Sequence, residues 1–206
     1  MTPPLGLVVL AAGASRRLGT CKALVDLAGA SPLERLIAAG ACLQDAPPLV
    51  VTGADDAAIR ARVPAGAEVL FNAEWEHGRS GGIARAHGAR PGHDLVLAPV
   101  DCPLVPPEVF AALQSAWRAA GSPALGWLAP KHGNGPGSYG HPIVVGRALL
   151  ERLETGRDAP LRHLRAHAQP LSSIPVDSPR VLDDLDEQAD LAMLRKSLAD
   201  RASAGE

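Results

Sequence analysis

Aromatic residues are scarce in this chain of 206 residues, at 3% of its composition. A protein that binds single-stranded nucleic acid needs aromatic side chains on which bases can stack, and this sequence has too few for such a platform. The charges are nearly balanced, with 20 lysines and arginines against 22 aspartates and glutamates. The sequence therefore predicts no broad basic surface for nucleic acid or for anionic membranes. Any phosphate site must be a local cluster of cations.

Cysteine pairs and long apolar runs are missing as well. The three cysteines, Cys21, Cys42 and Cys102, have neither the even number of a disulfide framework nor the Cys-x-x-Cys spacing of a metal site. No apolar run reaches the length of about 20 residues that a transmembrane helix needs, and no charged-then-apolar leader precedes the first predicted strand. These absences predict a cytoplasmic protein with reduced thiols and no membrane partner. The length predicts one domain over residues 1–206, with a disordered tail at 200–206.

Predicted strands and helices alternate along the chain. Apolar runs at 7–12, 49–52, 69–71 and 95–100 have the length and the Val/Leu content of buried strands, and helical patterns lie between them. Ser31-Pro32-Leu33-Glu34 combines a capping box with proline at the first helical position, which predicts a helix start. This alternation indicates βαβ units, an α/β fold and a parallel sheet. Further helices are predicted at 107–120, 147–153 and 160–168, and further strands at 124–128 and 173–176.

The first predicted strand ends in a loop of small residues that is followed by cations. Gly13-Ala14-Ser15 lets the backbone approach a ligand closely, and Arg16, Arg17 and Lys22 follow. The loop has neither the glycine spacing of a dinucleotide fingerprint nor the Gly-Lys-Ser/Thr of a P-loop. Its backbone N–H groups could still cradle phosphate oxygens, with the cations as counter-charge. The residue types alone fit an ordinary solvated loop about equally well.

Two acidic segments offer carboxylates for a metal ion. Asp101 follows the predicted strand at 95–100, and the carboxyl end of a strand is the ligand side of such a sheet. Mg²⁺ favours one or two carboxylates together with substrate phosphates. A helix-capping role for Asp101 fits less well, because Pro106 and Pro107 place the next helix start further on. The second segment, residues 183–186, is of a kind that is usually a solvated charge run or a helix start.

Two glycine-rich loops are further candidates. Residues 72–82 lead into a helix predicted near 83–89, and the free N–H groups at such a helix start suit an anion. Residues 129–140 form the longest irregular stretch, and loops of this length favour a functional role. Glycine marks turns whether or not a ligand binds, and a lone histidine such as His141 is more often a structural partner than a catalyst. The residue types therefore leave both interpretations open.

The segment Leu10-Ala11-Ala12-Gly13-x-Ser15-x-Arg17-x-Gly19-x-x-Lys22 resembles the characteristic loop of the MobA-like nucleotidyltransferases. Within that superfamily the chain is most similar to the molybdenum cofactor cytidylyltransferases, because the loop has Ala-Ala-Gly where guanylyl relatives tend to have Ala-Gly-Gly. Matching segments follow in the family's order along nearly the whole chain. The resemblance implies a Rossmann-like three-layer sandwich with a mostly parallel sheet, of the nucleotide-diphospho-sugar transferase type.

Later segments carry the same resemblance. Residues 72–83 match the family's Asn-x-x-Trp-x-x-Gly-x-x-Ser-Ser-Leu loop beside the nucleotide, although Gly81 and Gly82 stand where the family often has serines. Asp101-Cys102-Pro103 matches the Asp-x-Pro metal motif, and Gly140-His141-Pro142 matches a segment on the acceptor side of the cleft. Residues 184–191 align with Asp-Ile-Asp-Thr-Pro-Glu-Asp-Leu, which makes Asp186 the second metal carboxylate and Asp184 its support. The family's Gly-Asp-x-Gly-Ala-Arg segment is displaced here, near 156–162, and assigns no residue.

The resemblance gives these residues their expected roles. The catalytic residues are Arg17, Lys22 and Asp101, and a Mg²⁺ cofactor is held by Asp101 and Asp186. The acceptor is bound by Asn72, Gly140, His141 and Pro142. The nucleotide is bound by residues of two loops: Leu10, Ala11, Ala12, Gly13, Ala14, Ser15, Arg16, Gly19, Gly78, Ser80 and Gly81.

The implied reaction is the Mg²⁺-dependent transfer of a nucleoside monophosphate from a nucleoside triphosphate to a phosphorylated acceptor, with release of pyrophosphate. CTP is the favoured nucleotide, the molybdenum cofactor is the implied acceptor, and a molybdoenzyme that receives the product is the implied protein partner. Three alternatives stay open. They are a nucleotidyltransferase that uses GTP or a sugar- or alditol-phosphate, an NAD(P)H-dependent oxidoreductase of the same superfamily, and a non-catalytic protein that delivers a cofactor.

Overall fold

Seven strands form one sheet in the computed structural model, which describes residues 2–135, 137–153 and 160–204. The strands are β1 (Leu5–Ala11), β2 (Leu49–Thr52), β3 (Glu68–Phe71), β4 (Asp94–Pro99), β5 (Trp127–Lys131), β6 (Ile143–Val145) and β7 (Leu171–Pro175). Their order across the sheet is β3-β2-β1-β4-β6-β5-β7. Neighbouring strands are parallel except around β6, which pairs antiparallel with both β4 and β5.

Seven α-helices are described alongside this sheet. They are α1 (Pro32–Ala39), α2 (Asp56–Arg60), α3 (Arg79–Ala89), α4 (Pro107–Ala119), α5 (Arg147–Leu150), α6 (Leu161–Ala166) and α7 (Gln188–Ala204). Short 3-10 helices lie at Lys22–Leu24, Trp75–His77 and Pro179–Leu182. Ser31 caps α1 through the capping box that the sequence predicts, with Glu34 Oε2 accepting from the Ser31 N–H at 2.7 Å. None of the described helices has both the length and the apolar character needed to cross a membrane.

Helices cover both faces of the sheet, because side chains alternate between the faces along each strand. Leu7 of β1 belongs to a buried cluster with Leu36 of α1 and Phe110 of α4. The next residue, Val8, belongs to a second buried cluster with Ile83 of α3. The sheet is therefore the middle layer of three. This architecture confirms the predicted three-layer α/β fold with a mostly parallel sheet.

A third, smaller cluster holds α7 against the loop that follows β1. Burial of its leucine and valine side chains removes apolar surface from water, which stabilises the contact between two segments that are distant in sequence. Asp190 fixes the start of α7, since its Oδ2 accepts hydrogen bonds from the backbone N–H groups of Asp186 at 2.9 Å and Glu187 at 2.7 Å. The cluster brings the acidic segment to the cationic loop. Its buried members are Leu18, Val25, Leu27, Leu185, Leu191 and Leu194.

Some boundaries differ from the sequence predictions. The strand β6 was not predicted, because three residues are too few to show a periodicity. Helix α3 begins at Arg79 rather than near Ile83, since close packing against β2 compensates for the low helix propensity of its glycines. Helix α7 continues to Ala204, so residues 200–204 are helical, whereas the sequence predicted a disordered tail from residue 200. Residues 156–159 of the displaced family segment, and residues 205–206, lie outside the described part of the chain.

Candidate active site

A cavity of about 420 Å³ lies at the carboxyl ends of β1, β2 and β4. This is the edge of a parallel sheet at which α/β proteins bind their ligands. The cavity gathers predicted residues from four separate segments of the chain. Those that line it are Leu10, Ala12, Gly13, Ser15, Arg17, Lys22, Asn72, Gly78, Asp101 and Asp186, together with Asp184.

The loop after β1 is folded so that Lys22 faces this cavity. Ser15 adopts a left-handed backbone conformation, with a φ of 49°. Its hydroxyl accepts a hydrogen bond from the backbone N–H of Lys22 at 3.0 Å, and its carbonyl accepts one from Gly19 at 3.0 Å. The Lys22 side chain is only 12% exposed. Local hydrogen bonds therefore fix the lysine at the cavity wall.

Asp186 lies against the two cations of this loop. Lys22 Nζ donates to Asp186 Oδ1 at 2.5 Å, and the Arg17 guanidinium donates to Asp186 Oδ2. The hydrogen bond from Lys22, assisted by the charge of Arg17, lowers the pKa of Asp186 below its usual range. Both carboxylate oxygens are thus engaged by cations. This pairing joins the loop after β1 to the start of α7.

A second group of carboxylates faces the same cavity. Asp101 lies in a turn just beyond β4, and its backbone carbonyl accepts a hydrogen bond from the Leu185 N–H at 2.8 Å. That bond places the two acidic segments side by side. The pKa of Asp184 is raised by burial and then by the negative charges of Asp186 and Asp101. Asp101 does not cap a helix, because α4 begins at Pro107 with Pro106 at its cap.

These carboxylates suit a divalent cation that is completed by phosphate oxygens. Within the described residues, no three His, Cys, Asp or Glu side chains are grouped closely enough to hold a metal ion alone. Mg²⁺ does not require such a cage, since it takes one or two carboxylates, water and substrate phosphates. Beyond the effect of burial, the negative charges of Asp186 and Asp101 raise the pKa of Asp184, and a cation would relieve this local excess of negative charge. The donor set therefore fits the predicted cofactor.

The start of α3 also lines this cavity, through Gly78 and Arg79. Gly78 precedes the helix with a φ of 107°, a conformation that favours glycine, and Arg79 is the first helical residue. The Arg79 guanidinium lies 3.5 Å from Asp101 Oδ2. A Cβ atom on Gly82 would lie 3.0 Å from Val51 Cγ1. This crowding favours glycine at position 82, whereas a Cβ atom on Gly81 would meet only Asn72 Nδ2, at 4.0 Å.

A second cavity of about 330 Å³ adjoins the first. It is lined by Gly140 and His141 of the predicted acceptor segment and by the exposed ring of Tyr139. Burial lowers the pKa of His141, so the imidazole is neutral near pH 7. Burial also raises the pKa of Asp183, which lines the same cavity. The two cavities share Arg79, Asp101 and Asp184.

Some predicted residues occupy other places. Asn72, predicted on the acceptor side, lines the first cavity, and its Oδ1 accepts from the Glu74 N–H at 3.2 Å. Seven predicted residues line neither cavity: Ala11 at the end of β1, Ser80 and Gly81 in α3, and the loop residues Ala14, Arg16, Gly19 and Pro142.

Sequence reasoning did not assign six residues that line the first cavity: Val51, Trp75, Arg79, Gly82, Pro99 and Val100. The ring of Trp75 packs over Gly53, where a Cβ atom would lie 2.8 Å from Trp75 Cγ. The tryptophan of the family motif was a signal for Trp75, whereas Arg79 stands at an unspecified position of that motif.

Comparison with known proteins agrees with this geometry. The chain is 35% identical over 163 residues to the bifunctional protein GlmU of Dinoroseobacter shibae, a match that covers 75% of this chain and 35% of that protein. The chain thus spans about a third of the length of that relative. The structure of Rv0371c from Mycobacterium tuberculosis H37Rv is similar with a TM-score of 0.73 and 25% identity, over 95% of this chain and 100% of that one. Rv0371c has also been solved in complex with manganese.

A third similarity shows the fold alone. Molybdopterin-guanine dinucleotide biosynthesis protein A from Archaeoglobus fulgidus matches with a TM-score of 0.68 and 21% identity, over 95% of this chain and 100% of that one. The family model for the MobA-like NTP transferase domain matches residues 7–184, which include the loop after β1, Asp101 and Asp184. Because this match covers most of the chain, the protein belongs to the MobA-like NTP transferase family of nucleotidyltransferases.

Proposed function

We propose that this protein transfers CMP from CTP to the molybdenum cofactor and releases pyrophosphate. One observation supports the transfer above all others. The cations Arg17 and Lys22 line the same cavity as the carboxylates Asp101 and Asp184, and a second cavity opens beside those acids. A metal-bound triphosphate needs both charges around it, and an acceptor needs its own space next to the α-phosphorus.

The chemistry requires positioning more than proton transfer. An ionised phosphate oxygen of the acceptor attacks the α-phosphorus of the nucleotide and forms a new P–O bond. The bond from the α-phosphorus to the oxygen that bridges to the β-phosphorus breaks, and pyrophosphate leaves with the electron pair. Since the attacking oxygen carries no proton at neutral pH, no general base is needed. As in other phosphoryl transfers, catalysis comes from alignment and neutralised charge.

The residues of the first cavity divide this work. The backbone of the loop after β1 would cradle the phosphates, and Arg17 and Lys22 would neutralise the charge that develops on pyrophosphate. In the structure both cations are paired with Asp186. The triphosphate would therefore take Arg17 and Lys22 from Asp186. That exchange leaves the oxygens of Asp186 available.

A divalent cation completes the arrangement. Members of this family typically use divalent metals, and we propose that Mg²⁺ is held by Asp101 and by Asp186 after the exchange. When bound, the cation supplies Lewis acidity and a template for the phosphate oxygens. The chain's own contribution is to hold the two acidic segments together through the hydrogen bond between Leu185 and Asp101.

The choice of nucleotide and acceptor rests on the sequence resemblance. Ala11-Ala12-Gly13 has the form found in cytidylyl relatives, which favours CTP. The cytidylyltransferases that the chain resembles act on molybdenum bound to molybdopterin, which favours that acceptor and a molybdoenzyme as the receiver of the product. Relatives and structural neighbours of different names share this fold. The fold therefore does not select the nucleotide or the acceptor, and both choices depend on the sequence resemblance.

Pyrophosphate release tests the proposal. The purified protein is incubated with Mg²⁺, the molybdenum cofactor and each of CTP, GTP, UTP and ATP in turn. We expect release that requires the acceptor and is fastest with CTP. Release with GTP, or with a sugar- or alditol-phosphate as acceptor, would move the protein to another branch of the family. Consumption of NADPH without release would support an oxidoreductase, and cofactor binding without turnover would support a delivery protein.

A further inference from the structure

The boundary between the two cavities is formed by Arg79, Asp101 and Asp184, which line both. If the nucleotide occupies the first cavity and the acceptor the second, the reacting oxygen and the α-phosphorus meet at this boundary. Arg79 is the cation among these three residues. It is the first residue of α3, and it lines both cavities together with the carboxylates of Asp101 and Asp184.

Apart from Arg79, the side chains that line the second cavity do not attract an anion. It carries the carboxylates of Asp101, Asp183 and Asp184. Among the described residues, Arg79 is the sole lysine or arginine that lines it. His141 adds no charge near neutral pH, since burial lowers its pKa. A phosphate group entering this space would be repelled by the acids unless a cation met it.

Other cations near this cavity are committed elsewhere. Lys131 and Arg165 lie over the ring of Tyr139, at 5.8 Å and 5.1 Å from its centroid. Arg180 lies 3.5 Å from Asp183 and donates to the hydroxyl of Ser197. None of the three lines the cavity. Their charges therefore do not replace that of Arg79 at the boundary.

The contact between Arg79 and Asp101 is weak enough to be exchanged. Its N–O separation of 3.5 Å exceeds the usual length of a hydrogen bond, and the Arg79 side chain is 51% exposed. Exposed ion pairs of this kind contribute little to stability. A guanidinium also offers a planar pair of N–H groups that matches a phosphate better than a distant carboxylate oxygen.

We propose that Arg79 is the specificity residue for the acceptor, and that it leaves Asp101 to bind the acceptor's phosphate group. This inference rests on the proposed function, since it assumes a phosphorylated acceptor in the second cavity. To the proposed function it adds a binding residue and the group that this residue binds. The group is a phosphate monoester, held by Arg79 at the boundary that Asp101 and Asp184 also line. Asp101, once released, would be available to hold the divalent cation proposed for the first cavity.

The first test separates the two substrates. Arg79→Met removes the charge and keeps the apolar stem, Arg79→Lys keeps the charge without the planar pair, and Arg85→Met is the matched control on an exposed position of the same helix. We expect Arg79→Met to raise the KM for the acceptor by about tenfold or more, as for a lost hydrogen bond to a charged group. The KM for CTP should change less than about twofold, since Arg17 and Lys22 are retained. Arg79→Lys should lie between the wild type and Arg79→Met.

The second test does not depend on turnover. Inorganic phosphate is titrated into the wild type, Arg79→Met and Arg85→Met in the presence of Mg²⁺, and binding is followed by ³¹P NMR line broadening. We expect Arg79→Met to bind phosphate about tenfold more weakly than the other two. Since Arg17 and Lys22 are intact in all three proteins, phosphate that binds only to them gives equal affinities.

The outcomes distinguish this inference from the proposed function. An unchanged acceptor KM in Arg79→Met, or equal phosphate affinities in all three proteins, overturns the role of Arg79. If no nucleotide supports pyrophosphate release, the proposed function fails, and the phosphate titration alone decides whether Arg79 is a phosphate site. A parallel loss in Arg85→Met would indicate a general effect on α3, and it also counts against the proposal.

Discussion

The two cavities that share Arg79, Asp101 and Asp184 differ in how their charges are arranged. The larger cavity places Arg17 and Lys22 on one wall and Asp101, Asp184 and Asp186 near them. The smaller has three carboxylates and a single described arginine. The first can neutralise a highly charged triphosphate from several sides, whereas the second depends on one residue for any anion.

The ion pairs of the two cavities differ in the same way. Lys22 lies 2.5 Å from Asp186 and is 12% exposed, while Arg79 lies 3.5 Å from Asp101 and is 51% exposed. A less exposed pair is screened less by solvent and held in one geometry. The Lys22–Asp186 pair is therefore held more firmly than the Arg79–Asp101 pair, although Arg17, the second partner of Asp186, is 65% exposed. Variants at Lys22 and at Arg79 should therefore fail in different ways.

The largest effect is expected from Lys22→Ala. This change removes the least exposed cation of the larger cavity and should lower kcat by about 10²–10³, by analogy with the loss of one oriented electrostatic stabiliser. Steady-state pyrophosphate release measures it. Lys196→Ala, at an exposed position of α7, is the matched control. A normal rate in correctly folded Lys22→Ala would show that the larger cavity does not hold the reacting phosphates.

Asp101→Ala should cost a similar factor for a different reason. It removes a proposed metal ligand at the boundary of the cavities, and we expect turnover to fall by about 10²–10³. Raising the Mg²⁺ concentration should recover part of the loss in Asp101→Ala and none of it in Lys22→Ala. Equal responses to Mg²⁺ in both variants would argue against separate roles for the two walls.

Leu191→Ala tests the packing that joins the acidic segment to the loop after β1. Leu191 is 4% exposed in the third cluster, and its truncation should lower the free energy of unfolding by about 2–5 kcal/mol. Leu113→Ala, in the large cluster around α4, should cost a similar amount. Urea titration measures both stabilities. Leu191, unlike Leu113, belongs to the cluster that supports the position of Asp186. Turnover under folding conditions should therefore fall more in Leu191→Ala than in Leu113→Ala.

The smallest effect concerns two acids of one segment whose pKa shifts are opposite. Lys22 lowers the pKa of Asp186 below its ordinary value of 3.8, so the ionised form stabilises the fold above that pH and the contribution is lost as the pH falls through the folded pKa. Burial raises the pKa of Asp183 above 3.8, so its ionisation opposes folding as the pH rises.

Unfolding free energies between about pH 2 and pH 7, a range that includes the interval below 3.8 in which Asp186 titrates in the folded state, test these signs. The stability advantage of the wild type over Asp186→Asn should grow with pH, to about 1 kcal/mol or less. Its advantage over Asp183→Asn should shrink with pH. Parallel slopes for the two differences would contradict the opposite environments of the two carboxyl groups.

The sequence predicted the fold well because its strands are strongly marked. Continuous apolar runs gave β1, β2 and β4, and Ser31 with Glu34 marked the start of α1. The sequence did not predict β6, which pairs antiparallel with β4 and β5, because three residues are too few to show a periodicity. The sequence did not predict that α7 continues to Ala204, because the residues near its end are polar or small and show no apolar pattern of a helix.

The candidate site could be predicted only in part. The loop after β1 and Asp101 stand at strand ends, which is a local signal. The pairing of Lys22 with Asp186 depends on the third cluster, which joins segments far apart in sequence, so no local pattern announces it. Arg79 is an ordinary surface residue in the sequence. Its proposed role rests on its place in the lining of both cavities.

The Mg²⁺ dependence of CTP binding tests the central claim, which is that one triphosphate and one cation lie between Lys22 and Asp101. Calorimetric titration with CTP, in the presence and absence of Mg²⁺, is performed on the wild type, Lys22→Ala and Asp101→Ala. The account predicts that Mg²⁺ strengthens binding in the wild type and in Lys22→Ala and does so much less in Asp101→Ala, while Lys22→Ala binds more weakly under both conditions. Full strengthening by Mg²⁺ in Asp101→Ala, or unchanged affinity in Lys22→Ala, would contradict it.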